Sequence, residues 1–465
     1  MFTIKEILEA TQGVLINQDA IDLNTKINQV SIDSRTLKPG NLFIAIRGDN
    51  FNGHDYILPA LEKGARAVLL ASAWAEENTK DLNKINKPII AVENTIAALA
   101  CLAKTHRKKF SIPIIAVTGS NGKTTTKDMI ACVLEAKYKV LKSKGSFNNH
   151  IGVPLTLLEL DATHQAAVIE MGMNHKGEIR GLAFIAAPDI GVITNAANAH
   201  LEFFNSISDI IEAKCELLEL LGPNSLAVVN ADCKPLYTRV KEFGVELLDF
   251  GIKSLSAYQG SNIISHVDGM AFTVNEKYTF RINVLGEHNV YNALAAIAIA
   301  QHFKIDYALI REQLLKFQPV SLRMQTIECQ GVSIIADCYN ANPDSTLAAI
   351  NTLVSIKGKT RKVFVFGDML ELGRFSNKAH QQIGKLIAES SISKLITVGQ
   401  KAEYAAMAAK DCGMLTEDVY QCKTNQEAAA VLEKIRKQDD VVLLKGSRGM
   451  HLEQIIDFLN PKLKE

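Results

Sequence analysis

Beyond about Thr95 the chain keeps returning to one pattern: a short apolar run, a loop opening on glycine or polar residues, then a stretch with helical spacing. "IPIIAVTG", "AAVIEMG", "PDIGVITNAA" and "SLAVVNAD" are such runs, interleaved with helical stretches such as "KTTTKDMIACVLEA" and "ISDIIEAKCELLELL". Strands alternating with helices imply right-handed crossovers, so the expected fold class is α/β with a mostly parallel sheet. "GEHNVYNALAAIAIAQHF" then predicts one long helix. After about Gln318 the pattern restarts, with "VSIIADCY", "RKVFVFGDM", "KLITVG" and "DVVLLKGS" as strands of a second α/β unit. Ligands of open α/β sheets sit beyond the carboxyl ends of the strands. The loops "DCYNANPDS", "GDMLELG" and "KGSRG" are therefore the expected place for the chemistry of this unit.

Residues 1–90 read differently, as short strands and turns. "QVSIDSRTLKPGNLFIAIRG" holds a Lys-Pro-Gly-Asn turn between two apolar runs, a hairpin-like signal. "YILPALEKGARAVLLAS" reads as helix, glycine turn and strand, and "EENTKDLNKINKP" as a loop.

Composition narrows the partners. At 465 residues the length suits about three domains of ~150 residues. A net charge of +1 leaves no global electrostatic case for nucleic acid or a membrane surface. The longest apolar run near the middle is "ALAAIAIA", Ala293 to Ala300, whereas a membrane-spanning helix needs ~20 apolar residues. The first residues carry Glu6 and Glu9 and do not read as a secretory signal, so a cytosolic protein without membrane insertion is expected. None of the eight cysteines forms a Cys-x-x-Cys pair, and all are expected to be small buried hydrophobes rather than disulfides or zinc ligands.

The chemistry concentrates at strand ends. Gly119, Ser120, Asn121, Gly122, Lys123, Thr124 and Thr125 follow one apolar run and open a helix. The standard phosphate loop places its first glycine five positions before the second, and here that position is Val117. The glycines still let backbone N–H groups approach phosphate, the helix N-terminus favours anions, and Lys123 and Thr124 suit the outer phosphates and Mg²⁺. Glu170 ends the next strand, placed for a cation contact or for solvent. His200 follows another strand, and Lys214 lies in a helix among apolar residues, where a snorkelling lysine is the plain expectation. Asn289 and Asn292 share a helix face and could read a purine edge, with helix capping as the alternative for Asn289. Arg323 suits phosphate and Asp337 a ribose hydroxyl, while Asn342–Pro343 reads equally well as a helix start.

In order, "TGSNGKTTTK", "FNNHIGVPLTLLEL", "VIEMGMNHKGEI", "NAANAHLEFF", "EAKCELL", "GEHNVYNALAA", "LRMQ", "DCYNANPDS" and "GDMLELG" resemble the Mur ligase family over nearly the whole chain. The absence of a "DNPR" tetrapeptide favours the family's dipeptide-adding branch. The short Gly-x-x-Gly-Lys-Thr loop is normal in that family. The resemblance implies three domains: residues 1–90 for a UDP-sugar, 91–318 for ATP, and a Rossmann-like 319–465 for the incoming amine. It implies ATP and Mg²⁺, the substrates UDP-N-acetylmuramoyl-tripeptide and D-alanyl-D-alanine, and a monomer. By the same resemblance Lys123, His200 and Lys214 are catalytic, Lys214 matching a position that relatives carbamoylate, and Thr124, Glu170 and His200 bind metal. Asn289, Asn292, Arg323, Asp337 and Tyr339 would hold ATP. Ser34, Arg35 and "FNGHDY" would face the UDP-sugar, with Asn148 and Asn149 nearer its phosphates. Asp368, Lys445, Ser447 and Arg448 are candidates on the C-terminal face. A folylpolyglutamate synthase-like ligase would share the phosphate loop but lack the uridine-binding segment.

Overall fold

In the computed structural model, residues 1–16, 21–48, 51–82, 84–197, 204, 206–266, 268–319, 321–356 and 361–459 are described. Their strands form three larger sheets in chain order. In the central sheet the strand Ile114–Thr118 lies between Ala166–Glu170 and Ile190–Ile193, parallel to both. Parallel strands continue outward through Val140–Lys142 on one side and through Leu226–Asn230 and Glu246–Gly251 on the other. Ile114 to Val117 and Ala166 to Ile169 are fully buried. Such strands read as unbroken apolar runs because helices cover both faces of the sheet. Chain order reverses across Ile114–Thr118, which makes its carboxyl end a switch point where a crevice opens.

An antiparallel meander, Tyr258–His266, Gly269–Val274 and Tyr278–Ile282, extends one edge of this sheet. It leads into the long helix Glu287–His302, buried from Ala293 to Ala300 between the meander and the helix Lys123–Leu134. The C-terminal sheet runs Gln325–Cys329, Val332–Asp337, Val441–Lys445, Lys362–Gly367, Lys394–Val398 and Val419–Cys422, all parallel except its first strand.

Three expectations are corrected. Val30–Ser31 and Leu42–Ile44 pair in parallel, not as a hairpin. The ten intervening residues are enough to carry the chain back, and Leu42–Ile44 goes on to pair in parallel with Ala67–Ala71. "EENTKDLNKINKP" is not wholly a loop, since it takes in the end of the helix Ser72–Glu77 and all of Thr79–Leu82. The eight cysteines are unpaired as expected, but Cys101, on the helix Thr95–Arg107, and Cys412, just after the helix Glu403–Asp411, are exposed rather than buried. Among the described residues no helix is long and apolar enough to cross a membrane.

Candidate active site

A cleft of about 650 Å³ opens at the switch point of the central sheet and is closed over by strand-end loops of the C-terminal sheet. Ser120, Asn121 and Gly122 of the loop Gly119–Gly122 line it. Both glycines have positive φ, 149° and 81°. A side chain at Gly119 would run into the Thr194 hydroxyl, and one at Gly122 would come within 2.5 Å of Asn292 Oδ1. The loop is tied to the neighbouring strand end: Asn121 N–H donates to Asn195 Oδ1 (2.9 Å), while Thr194 Oγ1 and Asn195 Nδ2 donate to the Asn121 carbonyl. Nothing in the local sequence of the loop signals these partners, which lie 73 and 74 positions away.

Lys123 folds its ammonium onto the carbonyls of Gly119 (2.8 Å) and Ser120 (3.3 Å). Burial lowers its pKa, Glu170 opposes that shift and Arg323 adds to it. One position on, Thr124 Oγ1 is buried and has no hydrogen-bond partner among the described residues. Glu170 is almost fully buried; its Oε1 accepts from Asn148 Nδ2 (2.7 Å), but its Oε2 likewise has no hydrogen bond. Two oxygens without a hydrogen bond, a hydroxyl and a carboxylate, beside a phosphate-type loop are the hard donors that Mg²⁺ takes alongside water and phosphate. Buried polar atoms are normally satisfied, so such a pair calls for a ligand. Among the described residues no cluster of three or more His, Cys, Asp or Glu could hold a metal by itself.

The cleft wall from the long helix carries His288, Asn289, Tyr291 and Asn292. Asn289 donates to the Leu285 carbonyl, Asn292 donates to Asn289 Oδ1 (2.9 Å), and Thr126 Oγ1 donates to Asn292 Oδ1 (3.0 Å). This buried amide chain, not capping, is what the two asparagines build locally. From the C-terminal unit come Arg323, over the Tyr339 ring at 4.2 Å with its Nε lacking a hydrogen bond among the described residues, and Asp337 with Lys445. Asp337 Oδ2 is 2.9 Å from the Lys445 ammonium, which also donates to the Asn340 carbonyl. Asn342 caps its helix by accepting from Ser345 N–H and reaches back to Asn121 Oδ1 (2.8 Å).

The cleft therefore gathers Ser120 to Thr125, Asn148, Glu170, Asn289, Asn292, Arg323, Asp337, Tyr339 and Lys445. Other candidates do not line it. Asn149 spends its amide oxygen on the N–H groups of Ile151 and Gly152 at a helix start. Asp368 accepts from the N–H groups of Lys401 and Ala402. Ser447 Oγ accepts from Leu370 N–H and donates to the Ala341 carbonyl, and exposed Arg448 pairs with Glu453. These three shape the strand-end loops. Ser34 and exposed Arg35, which pairs with Asp33 at 2.8 Å, sit in the N-terminal unit away from the cleft. In "FNGHDY", His54 is buried and accepts from Ala71 N–H. Lys214 corrects the snorkelling expectation: it is 2% exposed, and burial followed by the charge of Lys123 pushes its ammonium well below the ordinary lysine range. His200 lies outside the described residues.

Three stretches match Mur ligase descriptions: residues 26–107 "Mur ligase family, catalytic domain", residues 117–300 "Mur ligase middle domain" and residues 322–448 "Mur ligase, glutamate ligase domain". A Bacillus subtilis protein named UDP-N-acetylmuramoyl-tripeptide–D-alanyl-D-alanine ligase is 37% identical, covering 98% of both chains. A solved structure of MurF from Acinetobacter baumannii superposes with a TM-score of 0.87 at 29% identity, covering 98% of both chains. MurF ligase from Thermotoga maritima, solved in complex with ADP, does so at 0.81 and 27% identity, covering 94% of this chain and 98% of that one. With a phosphate-loop cleft between two α/β sheets and likeness from end to end, this chain belongs to the Mur ligase family.

Proposed function

We propose that the protein is an ATP-dependent, ADP-forming ligase that joins D-alanyl-D-alanine to UDP-N-acetylmuramoyl-tripeptide, a step of peptidoglycan precursor synthesis. The observation that carries the reading is the pair of buried oxygens, Thr124 Oγ1 and Glu170 Oε2, without a hydrogen bond among the described residues, beside the phosphate loop of a chain that aligns over 98% of its length with a ligase of that name. The tripeptide's terminal carboxylate attacks the γ-phosphorus of ATP, ADP leaves, and an acyl phosphate remains. The dipeptide's amine attacks the acyl carbon, and the tetrahedral intermediate expels inorganic phosphate as the amide forms.

A carboxylate approaching a triphosphate needs its charge neutralised and its geometry held, so the protein's work is positioning and electrostatics. The N–H groups at the helix start, Gly122 to Thr125, would cradle the phosphates, and Lys123 leaves its loop carbonyls for the transferred phosphoryl group. Arg323, with an unpartnered Nε, takes a phosphate oxygen. Asn289 and Asn292, on the long helix, and Asp337 and Tyr339, at a strand end of the C-terminal sheet, line the cleft and would seat the nucleotide. Thr124 and Glu170, with His200, would hold Mg²⁺, which when bound supplies charge neutralisation to the phosphates. Lys214, with its ammonium destabilised by burial, offers the neutral amine that can take up carbon dioxide as a carbamate. Residues 1–90 would hold the UDP-sugar, residues 91–318 ATP, and residues 319–465 the dipeptide.

Phosphate release and product mass, followed with ATP, Mg²⁺, the UDP-tripeptide and D-alanyl-D-alanine, test the reading. Dipeptide-dependent phosphate release with matching amide product is expected. Phosphate release without that product, or turnover only with folate and glutamate, would refute it. Lys123→Ala should abolish turnover while leaving UDP-sugar binding intact; near-normal turnover would remove the phosphate-loop assignment.

A further inference from the structure

One turn beyond Lys123 the same helix carries a second buried ammonium, Lys127, whose side chain is 1% exposed. It donates to the carbonyls of Ser143 (2.7 Å) and Gly145 (2.8 Å), and lies 3.5 Å from Asp128 Oδ2 and 3.9 Å from Glu170 Oε2. A buried charge survives only when paired and hydrogen-bonded, and these four oxygens supply that. The segment that Lys127 holds is the one that grips Glu170. Ser143 Oγ accepts from Glu170 N–H (3.0 Å), and the Asn148 side chain donates to Glu170 Oε1 (2.7 Å). Gly172 N–H, two residues past Glu170, donates to the Asn148 carbonyl. Glu170 is thus held at its backbone and at one carboxylate oxygen by residues 143–148, and that segment is held at two carbonyls by Lys127. Oε2 alone is left without a hydrogen bond, turned toward the ammonium.

We propose that Lys127 is a positioning residue for the divalent cation: through the 143–148 segment and its own charge it holds the Glu170 carboxylate with Oε2 presented to the ion. The inference rests on the reading of Thr124 and Glu170 as cation donors. Lys127 does not line the cleft, being spent on carbonyls and carboxylates, so its effect should appear in the Mg²⁺ requirement and not in nucleotide recognition. Partners that orient a metal ligand typically change metal affinity by about 10- to 100-fold when removed.

The test is ADP binding by calorimetry at graded Mg²⁺ concentrations, on the full-length protein. Lys127→Met, which keeps length and removes charge, should bind ADP without Mg²⁺ as the wild type does, but need about 10-fold or more Mg²⁺ to reach the wild-type enhancement. Ser143→Ala removes only the hydroxyl that accepts from Glu170 N–H; it should shift the Mg²⁺ requirement the same way, and it decides the matter should Lys127→Met fail to fold. Unchanged Mg²⁺ dependence in the folded variants would overturn the proposal. Glu170→Gln separates the two readings. If it abolishes the Mg²⁺ effect while Lys127→Met and Ser143→Ala leave it intact, only the positioning role fails. If it leaves the effect intact, the cation reading and the positioning role fall together.

Discussion

At the residue scale, the protein uses buried neutral histidines as backbone ties. His380 is fully buried; its Nε2 accepts from Met369 N–H (3.0 Å) and its Nδ1–H donates to the Ser376 carbonyl (2.7 Å). Only the neutral ring can do both, since a second ring proton would face the Met369 N–H. Burial accordingly lowers the His380 pKa from its ordinary value of 6.5, and burial lowers His54 likewise. The sign follows from proton uptake. Just below pH 6.5 the unfolded chain binds protons that the folded one does not. The stability tied to the neutral ring is therefore complete above that pH and is lost as pH falls toward the depressed folded values. Denaturant melts between pH 7.5 and pH 5 should show stability falling with acid, and His380→Gln should flatten that dependence. An unchanged slope in the variant would remove His380 as a contributor.

Elements are joined at the carboxyl edge of the C-terminal sheet by bonds among four strand-end loops. Ser447, after the strand Val441–Lys445, links Leu370 N–H to the Ala341 carbonyl, and Asp368 organises the turn at Lys401 and Ala402. Arg448, one residue on, faces solvent with Glu453. Neighbours in sequence are thus expected to behave differently. Ser447→Ala should cost about 1–2 kcal/mol of stability by leaving N–H and carbonyl partners unsatisfied. Arg448→Ala should stay within about 0.5 kcal/mol, as surface ion pairs usually do. Denaturant midpoints of the two variants check the contrast, and equal losses would contradict it.

For the molecule as a whole, one hydrogen bond that links the two α/β units at the cleft is Asn342 to Asn121, 221 positions apart. Asn342 does two jobs: its oxygen caps the helix Pro343–Ser355, and its amide N–H reaches the phosphate loop. Asn342→Ser separates them, because serine is also a good N-cap but is too short to span the cleft. The variant should melt close to wild type while its KM for ATP rises about 2- to 10-fold, the range for one hydrogen bond. A large stability loss with unchanged KM would make the residue a cap only.

Much of the architecture was legible because parallel strands covered on both faces must be apolar throughout, and each is followed by a loop and an amphipathic helix. The phosphate loop, Glu170 and the asparagine helix were visible for a related reason: a crevice at strand ends has to be furnished by the residues just after each apolar run. The antiparallel meander at 258–282, covered by helices on one face, carries no such continuous run, and the direction of pairing at Val30–Ser31 is not encoded by a turn signal alone. Only the tertiary structure decided which candidates face the cleft. Asn149, Asp368 and Ser447 have the right residue types at the right strand ends, yet the nearest unsatisfied backbone groups claim them. Lys127 and Ser143 carry no signal in the sequence, because a lysine in a helix looks solvated until a segment 16 positions away folds its carbonyls over it. The sequence by itself determined where strands end and what chemistry stands there; which of those groups are left unsatisfied, and so free for a ligand, was decided by long-range burial and hydrogen bonding.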